Sequence, residues 1–280
     1  MAHRVTIAGL CLVVAASGLS AQTGHPKFEV ASVKPHKDGP PRAPLFKGDR
    51  FSYTGPVLLL ISLAYQVPFN PQSVRLSGGP EWIRSRRQDQ YDIDAKGSFP
   101  AGLSSSARDE RGRQMLQALL ADRFKLVIRR EAKEMPVYVL VVGKGGPKLE
   151  KSALSDKDCL QLETDGQLPC HQFNGGRGRG LHTPAANMDD LAGVVENWTD
   201  RPLLNKTGIT GLYRIETQPW LPMEVSANPP APGAKGEAGN DVADLPTVFQ
   251  IFEKLGLKMK ADKGEVDTYV IESIQRPTGN

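Results

Sequence analysis

Cysteine is scarce in this sequence, three residues in 280, and aromatics make up only 6%. A dominant sign of charge is also missing: 35 Lys+Arg stand against 31 Asp+Glu, a net +4 that is too mild to argue for nucleic acid. Beyond the N-terminus there is no stretch of about 20 apolar residues, which excludes a polytopic membrane protein. Nor is there a Gly-x-Ser-x-Gly elbow or any other catalytic signature. What is present is ordinary for a globular chain: 39% hydrophobic and 24% charged residues can bury a core and exclude disorder. With 28 Gly and 22 Pro the chain is loop-rich, and its length suits one large domain or two of moderate size.

The first 21 residues carry one Lys or Arg and no acid: Arg4 is followed by an apolar run from Val5 to Leu19 and by small residues at Ser20 and Ala21. This pattern predicts a secretory signal peptide over residues 1–21, cleaved after Ala21. The run is interrupted by Ser17 and Gly18 and is too short for a membrane anchor. Cys11 follows Leu10, where a lipoprotein signal wants a small residue, so lipidation is discounted. Cleavage would leave Gln22 first, a net charge of +3 (34 against 31), and no later membrane span.

Cys159 and Cys170 are then the two remaining cysteines, and an exported chain with two thiols pairs them as a rule. Closing a loop of about a dozen residues is worth ~2 to 3 kcal/mol through the unfolded state. The alternative is a zinc site built from Cys159, Cys170, His171 and His182. Its spacing matches no short Cys-x-x-Cys or His-x-x-x-His template. No cofactor and no metal are expected.

Phe28 to Lys34 reads as a strand, and the prolines between Pro35 and Pro44 break regularity after it. Pro56 to Val67 has apolar residues at helical spacing and reads as a short buried helix. Gly78-Gly79-Pro80 is a turn, and Tyr91 to Ala95 alternates as a strand does. Ser106 and Asp109 offer a capping-box start to a helix with an apolar face at Met115, Leu116, Leu119 and Leu120, ending near Arg123. Lys125–Arg130 and Val137–Val142 follow as two strands around a turn at Glu134 to Pro136.

The order recurs. Asn187 caps a helix with Asp189 and Asp190 in its first turn, Tyr213 to Thr217 is a strand, and a helix lies near Pro246 to Lys254. Strands Leu257–Ala261 and Thr268–Ile274 close the chain. Phe124-Lys-Leu126 matches Leu257-Lys-Met259 and Leu116-Gln117 matches Phe249-Gln250, both at an offset of 133, while Tyr91-Asp-Ile-Asp mirrors Tyr213-Arg-Ile-Glu. An internal duplication is inferred. The expected fold is α+β: two related βα units, short helices packed on mainly antiparallel sheets. The units span 22–150 and 187–280, joined by a connecting region at 151–186 that holds the disulfide. A Pro/Gly-rich solvent loop at 219–244 interrupts the second unit.

The motifs Phe28-Glu-Val-Ala-Ser-Val-Lys-Pro35, Gly78-Gly-Pro80 with Trp82, Tyr91-Asp-Ile-Asp-Ala95, Met115 to Leu126, Pro136 to Leu149, Asn205 to Tyr213, Leu255-Gly-Leu257 and Arg276-Pro277 run in fixed order over nearly the whole mature chain. In these the sequence resembles the Solibacter-type acidobacterial family of exported proteins of unknown function. The resemblance implies export by a soil bacterium and no established activity. Relatives of the domain follow membrane metallopeptidases of the β-lactam-sensor type, but this chain has no His-Glu-x-x-His. By element order the repeated unit is also similar to the secretin and TonB short N-terminal domain, a small envelope interaction module.

No residue declares itself catalytic. His25, His36, His171 and His182 fall in expected loops with no carboxylate or nucleophile at a recognisable spacing, and Ser104 to Ser106 read as loop and cap. Asp92 and Asp94 share a strand face, which is also where solvent-facing charge belongs. Two basic clusters, Arg84, Arg86 and Arg87, and Arg177 and Arg179 within Gly175 to Gly180, are candidate anion sites. Export makes RNA an unsuitable partner and favours an envelope protein, a peptide or an anionic polymer. The expected function is an exported, non-catalytic binding or interaction module of the bacterial envelope, periplasmic or extracellular. A secreted hydrolase with an unrecognised site is the alternative.

Overall fold

The protein is described by a computed structural model at residues 25–69, 73–84, 89–165, 167–176, 179–221, 223, 241 and 244–277. The signal peptide reading therefore lies outside the described residues, as does most of the 219–244 loop. The fold is α+β, as expected.

Among the described residues, three four-stranded sheets carry it. The first is antiparallel, in the order β1-β5-β3-β2, from β1 (Val30–Pro35), β2 (Arg42–Lys47), β3 (Arg50–Pro56) and β5 (Gln90–Lys96). β2 takes in Pro44, one of the prolines expected only to break regularity: it sits at a register shift of this edge strand, where a missing N–H is tolerated. The third sheet repeats the order as β7-β11-β9-β8, from β7 (Glu150–Lys151), β8 (Asn174–Gly175), β9 (Leu181–Ala186) and β11 (Tyr213–Glu216). The region 151–186 thus supplies strands to this sheet as well as the disulfide.

Between them lies the second sheet, β10-β6-β12-β4. Its centre is one long antiparallel ribbon of β6 (Val127–Val142) and β12 (Leu257–Ser273). Two hairpins around turns were expected, and each proves to be a single continuous strand. Pro136 does not break β6 because its place faces away from β12. Tyr138 N–H donates outward to Pro202 O, 2.7 Å, and alternate residues share that direction, so the missing N–H of Pro136 removes no ladder bond. β10 (Leu203–Asn205) runs parallel to the end of β6, and β4 (Leu76–Gly78) parallel to the end of β12.

Helices α1 (Val57–Tyr65), α2 (Glu81–Arg84) and α3 (Ser105–Arg123) accompany the first sheet; α5 (Met188–Glu196) and α6 (Val248–Lys254) accompany the third. Capping explains their starts. Ser104, not Ser106, caps α3 by accepting from Ala107 N–H, while Asn187 with Asp190 and Thr247 with Gln250 form capping boxes. Leu116, Leu119, Leu120 and Phe124 pack with Leu60, Ile61 and Ile93 and with Ile271 from the far end of β12 into one core. Leu191, Val195, Ile251, Phe252 and Leu257 pack with Leu140 from the far end of β6 into another.

Equivalent features lie 131 residues apart, not 133. Helix-ending bonds run from Phe124 N–H to Leu120 O and from Leu255 N–H to Ile251 O, and a left-handed residue follows each, Lys125 (φ 51°) and Gly256 (φ 72°). Leu126 therefore corresponds to Leu257. Side chains alternate with period two, so a two-residue slip leaves the apolar pattern intact and misleads sequence comparison. Glu134 and its counterpart 131 on, Glu265, are themselves paired across the ribbon, as a two-fold axis through that point requires. A buried ion pair joins the end of α5 to the residue before β4: Glu196 Oε1 lies 2.6 Å from Arg75 Nε.

Candidate functional site

The outward face of the third sheet carries a groove of about 470 Å³. Its polar side is built on neighbouring strands: Lys151 on β7, Arg214 and Glu216 on β11, and His182 on β9. Leu154 and Leu168 supply an apolar wall. The ladder of β11 and β9 shifts register between Tyr213 and Ile215, and such a bulge re-aims the side chain it contains, here Arg214.

The wall is held by local chemistry. Ser152 Oγ donates to Pro184 O at 3.0 Å and accepts from Leu154 N–H at 3.2 Å, fixing the turn out of β7. Ser155 and Asp158 exchange bonds at the start of α4 (Asp156–Thr164), whose Cys159 is bonded to Cys170. The disulfide is present as expected and buried, with Ala185 of β9 and Leu154 in its cluster. Because the two sulfurs are bonded to each other, the alternative zinc set is not formed.

The charges in the groove are loosely held. Arg214 Nη2 is 3.4 Å from both Glu216 carboxylate oxygens, and His182 Nδ1 is 3.7 Å from Oε1; the three side chains are 54–59% exposed. Ion pairs of this exposure are worth ~0 to 1 kcal/mol, so an incoming anion can displace Glu216 at little cost. The corresponding face of the first sheet is closed. There Asp92, at the place of Arg214, accepts from Thr54 Oγ1 at 2.7 Å and faces His36 Nδ1 at 3.1 Å, while Arg42 lies 3.6 Å from Asp94. The Thr54 hydrogen bond, then that of His36, holds the Asp92 carboxyl below its ordinary range; in return Asp92 and the Gly39 carbonyl raise His36. Asp92 and Asp94 act as structural partners of cations.

His171 has a carboxylate too, with Nδ1 2.7 Å from Asp190 Oδ2. Three of the four described histidines thus meet an acid that no sequence spacing showed. Of the candidate anion sites, Arg84 is engaged by its own backbone, donating from Nη2 to Leu76 O at 2.9 Å and from Nε to Gly78 O. Arg179 N–H donates to Gly176 O at 2.9 Å, and Arg86, Arg87 and Arg177 lie outside the described residues. The groove residues Lys151, His182 and Arg214 were not singled out from sequence as an anion site. The sequence signal pointing to them is the exchange of Asp92 for Arg214 between two otherwise matching Tyr-x-Ile-acid strands.

A second cavity, of about 680 Å³, lies between Lys148, Gln218, Asp244 and Lys254. Lys254 Nζ is already bonded to Gln218 Oε1 at 2.6 Å there. Among the described residues no group of three His, Cys, Asp or Glu is placed to hold a metal ion, and no helix is long and apolar enough to cross a membrane.

None of the curated proteins and none of the solved structures compared matches the chain. A family model described as a protein of unknown function (DUF3738) matches residues 58–274, from the first turn of α1 past the last residue of β12. With the long ribbon, the second core and the groove inside that match, the chain belongs to the DUF3738 family.

Proposed function

We propose that the protein is an exported, non-catalytic binding module of the bacterial envelope that takes an anionic ligand, an acidic peptide or an anionic polymer segment, in the groove of the third sheet. The observation that carries the reading is the pair of exposed cations, Lys151 and Arg214, set with His182 against an apolar wall, Arg214 and His182 being restrained by weak contacts to Glu216. Such an arrangement recognises charge and shape; it lacks the buried, desolvated pair that general acid–base chemistry uses. Ser152 is occupied by the Pro184 carbonyl, which speaks against a nucleophile in the groove. A buried disulfide and the apolar N-terminal run support export. The common strand order of the two outer sheets supports duplication of an interaction unit, of the kind the secretin and TonB likeness implies, in a chain of acidobacterial type.

Fluorescence polarisation with a labelled oligoglutamate peptide tests the reading, with an uncharged peptide of equal length as control. Binding should weaken as salt rises and be lost in Arg214→Ala, while the circular dichroism of that variant stays unchanged. Equal affinity for both peptides, or full binding by Arg214→Ala, overturns it.

A further inference from the structure

We propose that Asn174 is a self-modifying site, deamidated by the nitrogen of the next residue, and that its product carboxylate regulates the groove. Asn174-Gly175 is the one Asn-Gly step in the sequence. Glycine offers no side chain to obstruct approach to the preceding side-chain amide, and both residues are exposed. The geometry is more specific than the sequence. Gly175 N lies 2.8 Å from Asn174 Oδ1, so the side-chain amide is folded back over the following peptide nitrogen, beside the carbon that nitrogen must attack.

The other described asparagines are arranged otherwise. Asn187 Oδ1 accepts from the N–H groups of Asp189 and Asp190, Asn205 Oδ1 from Thr207, and Asn197 Oδ1 from Phe69. Each is followed by a residue with a large side chain: Met188, Lys206 and Trp198. Only at Asn174, among the described residues, does the carboxamide face the nitrogen of its immediate successor.

The step balances without any oxidant. The Gly175 nitrogen gives its proton to solvent base and bonds to Asn174 Cγ; the Cγ–Nδ2 bond breaks, and Nδ2 takes up a proton and leaves as ammonia. Water then opens the five-membered imide at one of its two carbonyls, giving aspartate or isoaspartate.

Either product acts on the groove. Asn174 is paired with His182 across β8 and β9, and both side chains are on the outward face. A new carboxylate there would add to the acid already opposing His182. Isoaspartate also routes the main chain through the residue 174 methylene, lengthening it directly before Gly175, whose backbone packs so closely on Gly180 that an added Cβ would meet the Gly180 carbonyl oxygen. The modification should therefore both lower the positive charge of the groove and loosen its edge strand.

The chemistry stands apart from the anion-binding reading, whereas its regulatory consequence rests on that reading. The folded full-length chain is incubated at mildly alkaline pH and mapped by peptide mass, with isoaspartate detected by enzymatic methyl transfer; urea-unfolded chain and Asn174→Gln serve as references. The expected result is progressive loss of the Asn174 peptide from folded protein, faster than at Asn187, Asn197 or Asn205, with ammonia released and no methyl label in Asn174→Gln. Asn174 remaining intact in folded protein while the unfolded chain loses it overturns the proposal. Fresh and aged protein are then compared for oligoglutamate: weaker binding by the aged form is expected, and unchanged binding removes the regulatory role. If neither form binds, the groove reading falls while the modification stands.

Discussion

Replacing Arg75 with alanine should expose what its pair with Glu196 contributes. Glu196 is 6% exposed, near the end of α5, and its charge is met by Arg75 and by the Leu203 N–H, which reaches Oε2 at 3.2 Å. Arg75 itself is 17% exposed, and its Nε contact, though only 2.6 Å, is not aligned as a hydrogen bond, so the pair is held by charge. Removing one partner of a buried pair costs about 3 to 5 kcal/mol, because the other is left uncompensated. The misalignment and the exposed edge of Arg75 place the expected loss near the lower figure, a sizeable part of a total stability of about 5 to 15 kcal/mol.

Burial already raises the Glu196 carboxyl above its ordinary value, against the lowering effect of Arg75. A carboxyl raised in the folded state binds its proton more tightly there than in the unfolded chain. Its contribution is therefore greatest at acid pH and falls as pH rises from the ordinary carboxyl value through the raised one. Without Arg75 that slope should steepen: the deficit is largest at neutral pH and shrinks on acidification. Urea unfolding followed by tryptophan fluorescence at pH 5 and pH 8 measures it, and the double variant Arg75→Leu with Glu196→Gln should recover most of the loss. A neutral-pH deficit below about 0.5 kcal/mol, the range of ordinary surface changes, or a deficit that grows at acid pH, would refute the reasoning.

Three further outcomes follow from the same physics. His36 is raised by its bond to Asp92, so its contribution is present below the ordinary histidine value and lost as pH rises through the raised one; thermal melts from pH 5.5 to 8 should show this fall in the wild type and not in Asp92→Asn. Glu265→Lys should stabilise the ribbon by ~0.2 to 1 kcal/mol, read as a higher urea midpoint, because Glu134 and Glu265 stand directly opposite one another. Gly256→Ala should destabilise by more than about 1 kcal/mol in the same assay, since φ is 72° and the new Cβ would clash with the Gly146 carbonyl oxygen.

Local chemistry was legible and long-range chemistry was not. Asn187 as a cap, the buried helix after Pro56, the alternating Tyr91 strand and the pairing of Cys159 with Cys170 can all be read from neighbouring residues. The ribbon could not. Asp262-Lys-Gly-Glu265 and Glu134-Met-Pro136 look like turns, because a two-stranded ribbon open to water at its centre has no need of an apolar pattern there. The groove was hidden for a related reason: Lys151, His182 and Arg214 come from three separate strands, and their juxtaposition depends on pairings across up to 63 residues, the span from Lys151 to Arg214. The expected basic clusters were contiguous in sequence, and of these Arg84 proves to serve the main chain.

β6 begins in one core and ends in the other, and β12 makes the reverse journey, with Ile128 paired to Ile271 across 143 residues. Neither half can then be finished first. A chain folding from its N-terminus lacks, until its last strand is available, both the inner partner of β6 and the Ile271 side chain that completes the first core. Loop-closure entropy has to be met before these contacts return anything, which makes for slow folding governed by topology. It also means that a cut anywhere between the two cores would yield two incomplete fragments, so that the molecule's two-fold pattern is one of mutual dependence and its unit of folding is the whole chain.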